Sequence, residues 1–150
     1  MKPFDKNSDP LADPQALQEH IDQALAVEMP GGLDIELNYQ MVKRIFRPMV
    51  LRAEKIPDEP CLFVGNHSLF ALDGAVLAPL FFRELRRFPR SMGDKFLFAY
   101  PPLARLLIKN GTVMGHPEVC TALMQDGQDL LVFPGGAHEA VKPSSCLLYT

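Results

Sequence analysis

The chain has 150 residues, of which 47% are hydrophobic, and this suits a single globular domain with a real core. Its formal net charge of -3, without a basic stripe interleaved with aromatic residues, argues against general nucleic-acid binding. Three cysteines without a C-x-x-C pair favour a reducing compartment over a disulfide or zinc framework, and no apolar run reaches the roughly 18 to 20 residues needed to cross a bilayer.

The first 32 residues divide into two predicted segments. Residues 1–14 are polar and rich in Asp and Pro, which predicts a flexible arm. Residues 15–32 combine an amphipathic helix, which Asp13 and Pro14 begin, with a Pro-Gly-Gly hinge. Residues 33–150 then form the main domain.

The main domain begins with a second predicted helix, from Ile35 to Arg47, which has an apolar face and a cationic end. Core packing explains this pattern, because cations complement a helix C-terminus. A helix lying on an anionic membrane surface has the same composition, and the pattern leaves both interpretations open. Residues 49–53 are predicted to form a strand.

Residues 61–64 are an apolar run that predicts a buried central strand, with Asn66 and His67 at its carboxyl end. Open α/β sheets place their chemistry at that end. An imidazole and the carboxylate of Asp73 can form a base and its orienting partner. Six positions on a continuous helix are about 240° apart, so the pair requires His67 in a turn before a helix that begins near Asp73. The alternative is a loop histidine, with Asp73 as an ordinary helix N-cap.

A helix is predicted from Asp73 to Arg87, and its continuation would place Arg83, Arg87 and Arg90 on one side. Such a cluster is either a solvated helix end or a site for phosphates, which arginine binds through paired donors. Two short apolar helices follow within residues 94–109, and they are either ordinary core or the lining of a groove for an acyl chain.

The last predicted elements are a strand at 111–114, a helix at 116–126 and a second buried strand at 130–133. Strands that alternate with helices in this way predict an α/β fold, in which helices cover a largely parallel sheet. In such a sheet the carboxyl ends of the strands share one edge, so the turn at 134–139 and the turn that contains His67 are expected to face one crevice. The glycine pair in the later turn lets backbone N-H groups approach an anion, and Glu139 can hold a polar group.

Three sequence blocks, taken together, resemble the glycerolipid acyltransferase superfamily, in particular its mono- and diacylglycerol acyltransferase-like branch. The blocks are Asn66-His67-Ser68-Leu69-Phe70-Ala71-Leu72-Asp73, Gly111-Thr112-Val113-Met114-Gly115-His116 and Phe133-Pro134-Gly135-Gly136-Ala137-His138-Glu139. The similarity extends from about Ile45 to Lys142 with the order and spacing of the blocks preserved.

The resemblance implies a glycerol-phosphate acyltransferase-like fold and a cytoplasmic enzyme peripheral to the membrane. It would move a fatty acyl group from acyl-CoA, or from an acyl carrier protein, to a hydroxyl of a glycerolipid, with no other cofactor and no metal. His67 would be the general base and Asp73 its orienting partner. The implied substrate-binding residues are Asn66, Ser68, Gly111, His116, Pro134, Gly135, Gly136 and Glu139.

Three departures from the family pattern qualify this resemblance. His116 stands where the more widespread second block has an Arg that binds phosphate, which disfavours a glycerol-phosphate acceptor. Gly135 stands where the third block usually has Glu, and Glu139 is the expected substitute. The family's fourth block is not found before Thr150, so we expect a truncated domain, and whether such a fragment is itself active stays open.

Two other function classes fit parts of the sequence. The side chains of His67, Asp73, His116 and His138 are suitable ligands for zinc or manganese in a metal-dependent hydrolase, although their intervals match no usual ligand motif. Alternatively, the apolar helices belong to a non-catalytic module that binds lipid or membrane.

Overall fold

A computed structural model describes residues 9–29, 33–66 and 72–135, with only the backbone at positions 33, 34, 72, 73 and 75. Within these residues two 3-10 helices, Ala53–Lys55 and Lys95–Phe98, accompany five α-helices and four β-strands. In chain order the main elements are α1 (Pro14–Leu25), α2 (Leu33–Phe46), β1 (Leu62–Val64), α3 (Leu72–Glu84), β2 (Arg90–Gly93), α4 (Pro101–Lys109), β3 (Thr112–Met114), α5 (Pro117–Gln125) and β4 (Leu130–Val132).

The four strands form one parallel sheet in the order β1-β4-β2-β3. The predicted α/β fold with a parallel sheet is therefore confirmed, whereas its glycerol-phosphate acyltransferase-like type stays a prediction. The strand β4 inserts between β1 and β2, with Val132 opposite Val64 and Leu130 opposite Arg90.

Helices cover both faces of this sheet. Leu130 faces α1 and α5 in a core of buried side chains, which also includes Leu11, Leu17, Ala24, Val113, Met114, Val119 and Leu123. Phe63 points to the other face because successive side chains of a strand alternate, and its ring meets Phe81 of α3 edge-on with ring centroids 4.7 Å apart. The helix α2 packs on α3 from outside.

Several helix boundaries follow the chemistry predicted from the sequence. Asp13 caps α1 by accepting a hydrogen bond from the backbone N-H of Ala16 at 3.0 Å, and Pro14 occupies the first helical position. At the other end of the chain, α5 begins at Pro117, and the chain leaves it through Gly127, whose φ of 78° is accessible to glycine at little cost.

The helix α1 belongs to the same core as the sheet, since Leu17 and Ala24 are buried there together with Leu11 from the end of the predicted arm. Residues 1–8 of that arm lie outside the described residues. The division into an arm, a helix with a hinge and a main domain stays a prediction.

Three predictions for local structure were wrong. Residues 49–53 form no strand, because no neighbouring strand pairs with them and the side chains of Met49 and Leu51 are exposed. The strand β1 is at an edge of the described sheet rather than in its buried centre: Leu62 is 50% exposed and Val64 63%, because α1 and α5 do not reach over it. The helix α3 ends at Glu84, before Arg86 with a positive φ of 56°, so it does not continue to Arg90.

Candidate functional site

The turns that follow β1 and β4 lie side by side at the carboxyl edge of the sheet. Val64 and Val132 are opposite each other at the ends of these parallel strands, and the Gly65 N-H donates a hydrogen bond to the Val132 carbonyl at 3.1 Å. Asn66 follows in one turn, and Pro134 and Gly135 in the other, and all three residues are exposed. The fold therefore brings together these three predicted site residues.

Gly65 allows the two turns to approach closely. A Cβ atom at this position would lie 3.2 Å from Cε1 of Phe133, which is tighter than nine in ten such contacts in proteins. A larger residue would therefore require the ring of Phe133 to move by a few tenths of an ångström. The close contact with Phe133 explains why position 65 is a glycine, without any catalytic role.

The predicted catalytic pair lies largely outside the described residues. The structure describes neither His67 nor Ser68, and Asp73 is described only as the second backbone residue of α3. The helix α3 is described from Leu72, so the position of His67 relative to this helix and to Asp73 stays a prediction. Gly136 and Glu139 also lie outside the described residues, so the roles of these five residues stay predictions.

His116 lies at the same edge of the sheet but on its far side. It follows β3, and β2 separates β3 from β4, so two strand spacings of about 4.8 Å place it roughly 10 Å from the turn after β4. Its Nδ1 accepts a hydrogen bond from the Glu118 N-H at 3.3 Å, which caps α5. This contact explains a polar residue here, and a substrate-binding role for His116 stays a prediction.

Gly111 lies at the opposite, amino-terminal edge, because it precedes β3 rather than following it. Its φ is 81°, and a Cβ atom there would lie 2.7 Å from Cζ of Phe88. Packing and backbone conformation therefore explain this glycine. The fold does not bring it together with Asn66 and Gly135.

One acidic residue at the carboxyl edge was not among the predicted site residues, because residues 90–93 carry no local strand signal. Asp94 follows β2, between the ends of β4 and β3, and its exposed carboxylate accepts a hydrogen bond from the Phe96 N-H at 3.1 Å. The signal available in the sequence was Gly93-Asp94 before an apolar run, and by itself it predicts only the start of a helix. Asp94 caps the 3-10 helix and adds a negative charge near the candidate site.

The three arginines considered as a phosphate site instead make separate contacts within the protein. Arg83 pairs with Glu36 at 3.1 Å, and Arg87 pairs with Asp129 at 2.7 Å. Arg90 is buried in β2 and donates to the side chain of Gln128 at 2.5 Å. These contacts lie away from the carboxyl edge, so the cluster does not contribute to the candidate site.

The metal-dependent hydrolase hypothesis requires several His and Asp side chains, and the structure describes only some of them. Within residues 9–29, 33–66 and 72–135, no group of three or more His, Cys, Asp or Glu side chains could hold a metal ion. The side chains of His67, Asp73 and His138, which the hydrolase hypothesis requires, lie outside this description.

Two curated proteins match the chain. Both are called "DGAT1/2-independent enzyme synthesizing storage lipids". The protein from Gallus gallus is 30% identical over 88 residues, and the protein from Bos taurus is 33% identical over 89 residues. Each match covers 59% of this chain but only 26% and 27% of the respective relative, so the chain spans about a quarter of their length. No protein-family model and no solved structure matches.

The length of the described helices bears on membrane contact. In the part of the chain that the structure describes, no helix is both long and apolar enough to span a bilayer.

Proposed function

We propose that the protein transfers a fatty acyl group from a thioester donor, acyl-CoA or an acyl carrier protein, to a hydroxyl group of a glycerolipid. One observation carries the proposal: the parallel pairing of β1 with β4 puts the turn that leads into His67 beside the turn of Pro134 and Gly135. The resemblance of these two turns to acyltransferase blocks supports the proposal. The names of the two relatives, which synthesise storage lipids, support lipid synthesis in general.

In this proposal His67 acts as general base. It removes the proton of the acceptor hydroxyl while that oxygen attacks the thioester carbonyl, and Asp73 orients the ring and stabilises its cation. Collapse of the tetrahedral intermediate breaks the carbon-sulfur bond, and the leaving thiolate takes the proton back from His67. Backbone N-H groups near Gly135 and Gly136 stabilise the oxyanion. A covalent acyl-enzyme is unnecessary because the thioester is already activated.

The remaining predicted residues contact substrate rather than reacting atoms. Asn66 and Ser68 flank the base, Pro134 shapes the second turn, and Glu139 holds the acceptor. His116, in place of a phosphate-binding Arg, favours a neutral acceptor such as diacylglycerol over glycerol phosphate. The acceptor is a lipid, so we propose that the protein works in the cytoplasm at a membrane surface, to which it binds peripherally.

The test is an assay of acyl transfer from labelled acyl-CoA to diacylglycerol or lysophospholipid. Replacing His67 by Ala should lower turnover by about 10² to 10⁴-fold, which is the usual contribution of general base catalysis. Asp73→Asn should also lower turnover, since the ring loses its orienting carboxylate. Undiminished turnover in His67→Ala would eliminate the proposed base.

A matched control uses another histidine of the chain. His20 is buried in α1 and does not belong to either turn of the site, so His20→Gln should leave turnover unchanged at neutral pH. A strong chelator separates the proposal from the metal-dependent hydrolase, because acyl transfer as proposed here needs no metal. Loss of all activity with the chelator would favour the hydrolase.

A further inference from the structure

The helix α2 has two apolar faces, and only one of them is covered. Tyr39 and Val42 are buried, on the side where α2 packs against α3. Leu37, Met41 and Ile45 are spaced by four residues and form a stripe along the helix, with about 40° between successive members. Their side chains are 68%, 54% and 64% exposed. A row of large exposed apolar side chains on one surface usually marks an interaction site.

The apolar character continues past the end of the helix. Phe46, the last residue of α2, is exposed, and so are Met49 and Leu51 in the segment that connects α2 to the first 3-10 helix. We call residues 37–53 the docking segment. Two of its residues, Arg47 and Arg52, have positive φ values of 46° and 59°, so the chain turns sharply after α2.

The charge of the docking segment is opposite in sign to that of the whole chain. Residues 37–53 contain no Asp or Glu and four cations, namely Lys43, Arg44, Arg47 and Arg52, whereas the chain has a net charge of -3. All four side chains are exposed. Arg44 lies next to Leu37 on the exposed side of α2, whereas the Lys43 ammonium lies 5.4 Å from the ring centroid of Tyr39, on the side that packs against α3. Cations beside a row of exposed apolar side chains are the composition of a helix that lies in the interface of an anionic bilayer.

The packing of α2 on α3 places this segment relative to the candidate site. Glu36 and Tyr39, in the first half of α2, contact Arg83 and Glu84 at the end of α3. The start of α3 at Leu72 lies at the other end of that helix and follows the turn that carries Asn66. The docking segment is therefore linked to the candidate site through α3, on which α2 packs.

We propose that residues 37–53 dock the protein on an anionic phospholipid surface, with the apolar stripe of α2 inserted between headgroups and its cations on lipid phosphates and carboxylates. Two other occupants are disfavoured by charge. A second copy would bring two cationic surfaces together in a symmetric dimer. The undescribed segments of the chain hold two acidic residues, Asp5 and Glu139, against three lysines, Lys2, Lys6 and Lys142, so they offer no complementary charge.

Docking deepens the proposed function, because a lipid acceptor would then enter the site from the membrane. The catalytic importance of docking therefore rests on that proposed function. The binding itself is tested without any reaction, by co-sedimentation of the chain with vesicles. Vesicles of phosphatidylcholine with about one-third phosphatidylserine should bind the chain, more weakly at high salt, while pure phosphatidylcholine should bind it little.

Two variants of the docking segment test its two components. Arg44→Gln with Arg47→Gln should weaken binding to the anionic vesicles by at least about tenfold, given roughly fivefold for each cation at a membrane surface. Leu37→Gln, Met41→Gln and Ile45→Gln together should weaken it by a similar factor through lost apolar insertion. These side chains are exposed, so circular dichroism and thermal unfolding should match the unmodified chain.

The matched control removes the same charge from another amphipathic helix. Arg105 and Lys109 are exposed on α4, near the exposed apolar side chain of Leu106, and their replacement by Gln should change binding less than about twofold. Equal loss in both charge variants, or unchanged binding in the α2 variants, would overturn the proposal. So would α2 variants that alter only self-association of the chain in sedimentation equilibrium.

Catalysis provides a separate measurement. The α2 charge variant should retain turnover of a short-chain, water-soluble diacylglycerol and lose turnover of the same acceptor in vesicles. Suppose that neither the unmodified chain nor any variant transfers acyl groups, while the chain still binds anionic vesicles through residues 37–53. The proposed function then fails and the docking surface stands.

Discussion

At the scale of single residues, His20 joins the first helix to the sheet through one hydrogen bond. Its Nε2 accepts the backbone N-H of Met114, the last residue of β3, at 3.0 Å, and its ring meets Phe98 edge-on at 6.0 Å. Burial lowers the pKa of His20 below its ordinary value of 6.5. An imidazolium has no free lone pair, so protonation would remove the acceptor and leave a buried N-H unpaired.

We therefore predict that His20 makes folding sensitive to acid. Its contribution to stability is complete above pH 6.5, where the ring is neutral in both states, and it declines as the pH falls toward the lower pKa of the folded state. The loss should be about 1 to 3 kcal/mol, the usual cost of an unsatisfied buried group. This loss of stability is measured by thermal unfolding between neutral and mildly acid pH. His20→Gln keeps an acceptor that does not titrate, so its melting temperature should fall less over this range, and an identical fall in both proteins would contradict the prediction.

At the scale of elements, one ion pair joins three segments at the amino-terminal edge of the sheet. Asp129, just before β4, accepts from the Arg87 side chain at 2.7 Å and from the Cys61 N-H at 2.8 Å. The Arg87 guanidinium also donates to the carbonyls of Pro57 and Glu59, in the loop before β1. The hydrogen bond with Asp129 is the largest cause of the raised pKa of Arg87. The pair thus holds the entry to β1 against the entry to β4.

We predict that Asp129→Ala destabilises the protein by about 2 to 4 kcal/mol, because it leaves a largely buried guanidinium without its counter-charge. The two side chains are 14% and 11% exposed. The control is the pair of Arg83 with Glu36, at 43% exposure for both side chains, where Glu36→Gln should cost less than about 1 kcal/mol. Urea unfolding of both variants compares their losses in the free energy of unfolding. Equal losses would show that burial does not determine how much these ion pairs contribute to stability.

The elements also show which parts of the fold the sequence could reveal. Local signals were sufficient where a cap, an apolar run or a proline coincided with an element, as for α1, α5 and β4. They failed for β2, whose four residues Arg-Ser-Met-Gly do not form an apolar run. The strand exists because neighbours on both sides pair with it and because Arg90 finds partners in Gln128 and the Val27 carbonyl. Such partners are distant in sequence and have no local signal.

At the scale of the whole molecule, the candidate site depends on a strand order that no local pattern contains. The sequence predicted that two polar turns would share one edge of a parallel sheet, but not that β4 would insert directly beside β1. That adjacency reduces the separation of the turns to one strand spacing, about 4.8 Å, and the contact of Gly65 with Phe133 depends on it. The same order places the end of β3, with His116, two spacings away from β4.

The strand order predicts a gradient of amide protection across the sheet. The strand β4 pairs on both sides and its Leu130 and Leu131 are buried, whereas β1 pairs only with β4 among the described strands and its Leu62 and Val64 are exposed. Amide hydrogen exchange in residues 130–132 should therefore be at least about tenfold slower than in residues 62–64. Hydrogen exchange with mass spectrometry resolves the two peptides. Equal protection would mean that β1 is covered as well as β4, and the turn with Asn66 would then lie inside the sheet rather than at its open border, where a lipid acceptor could reach it.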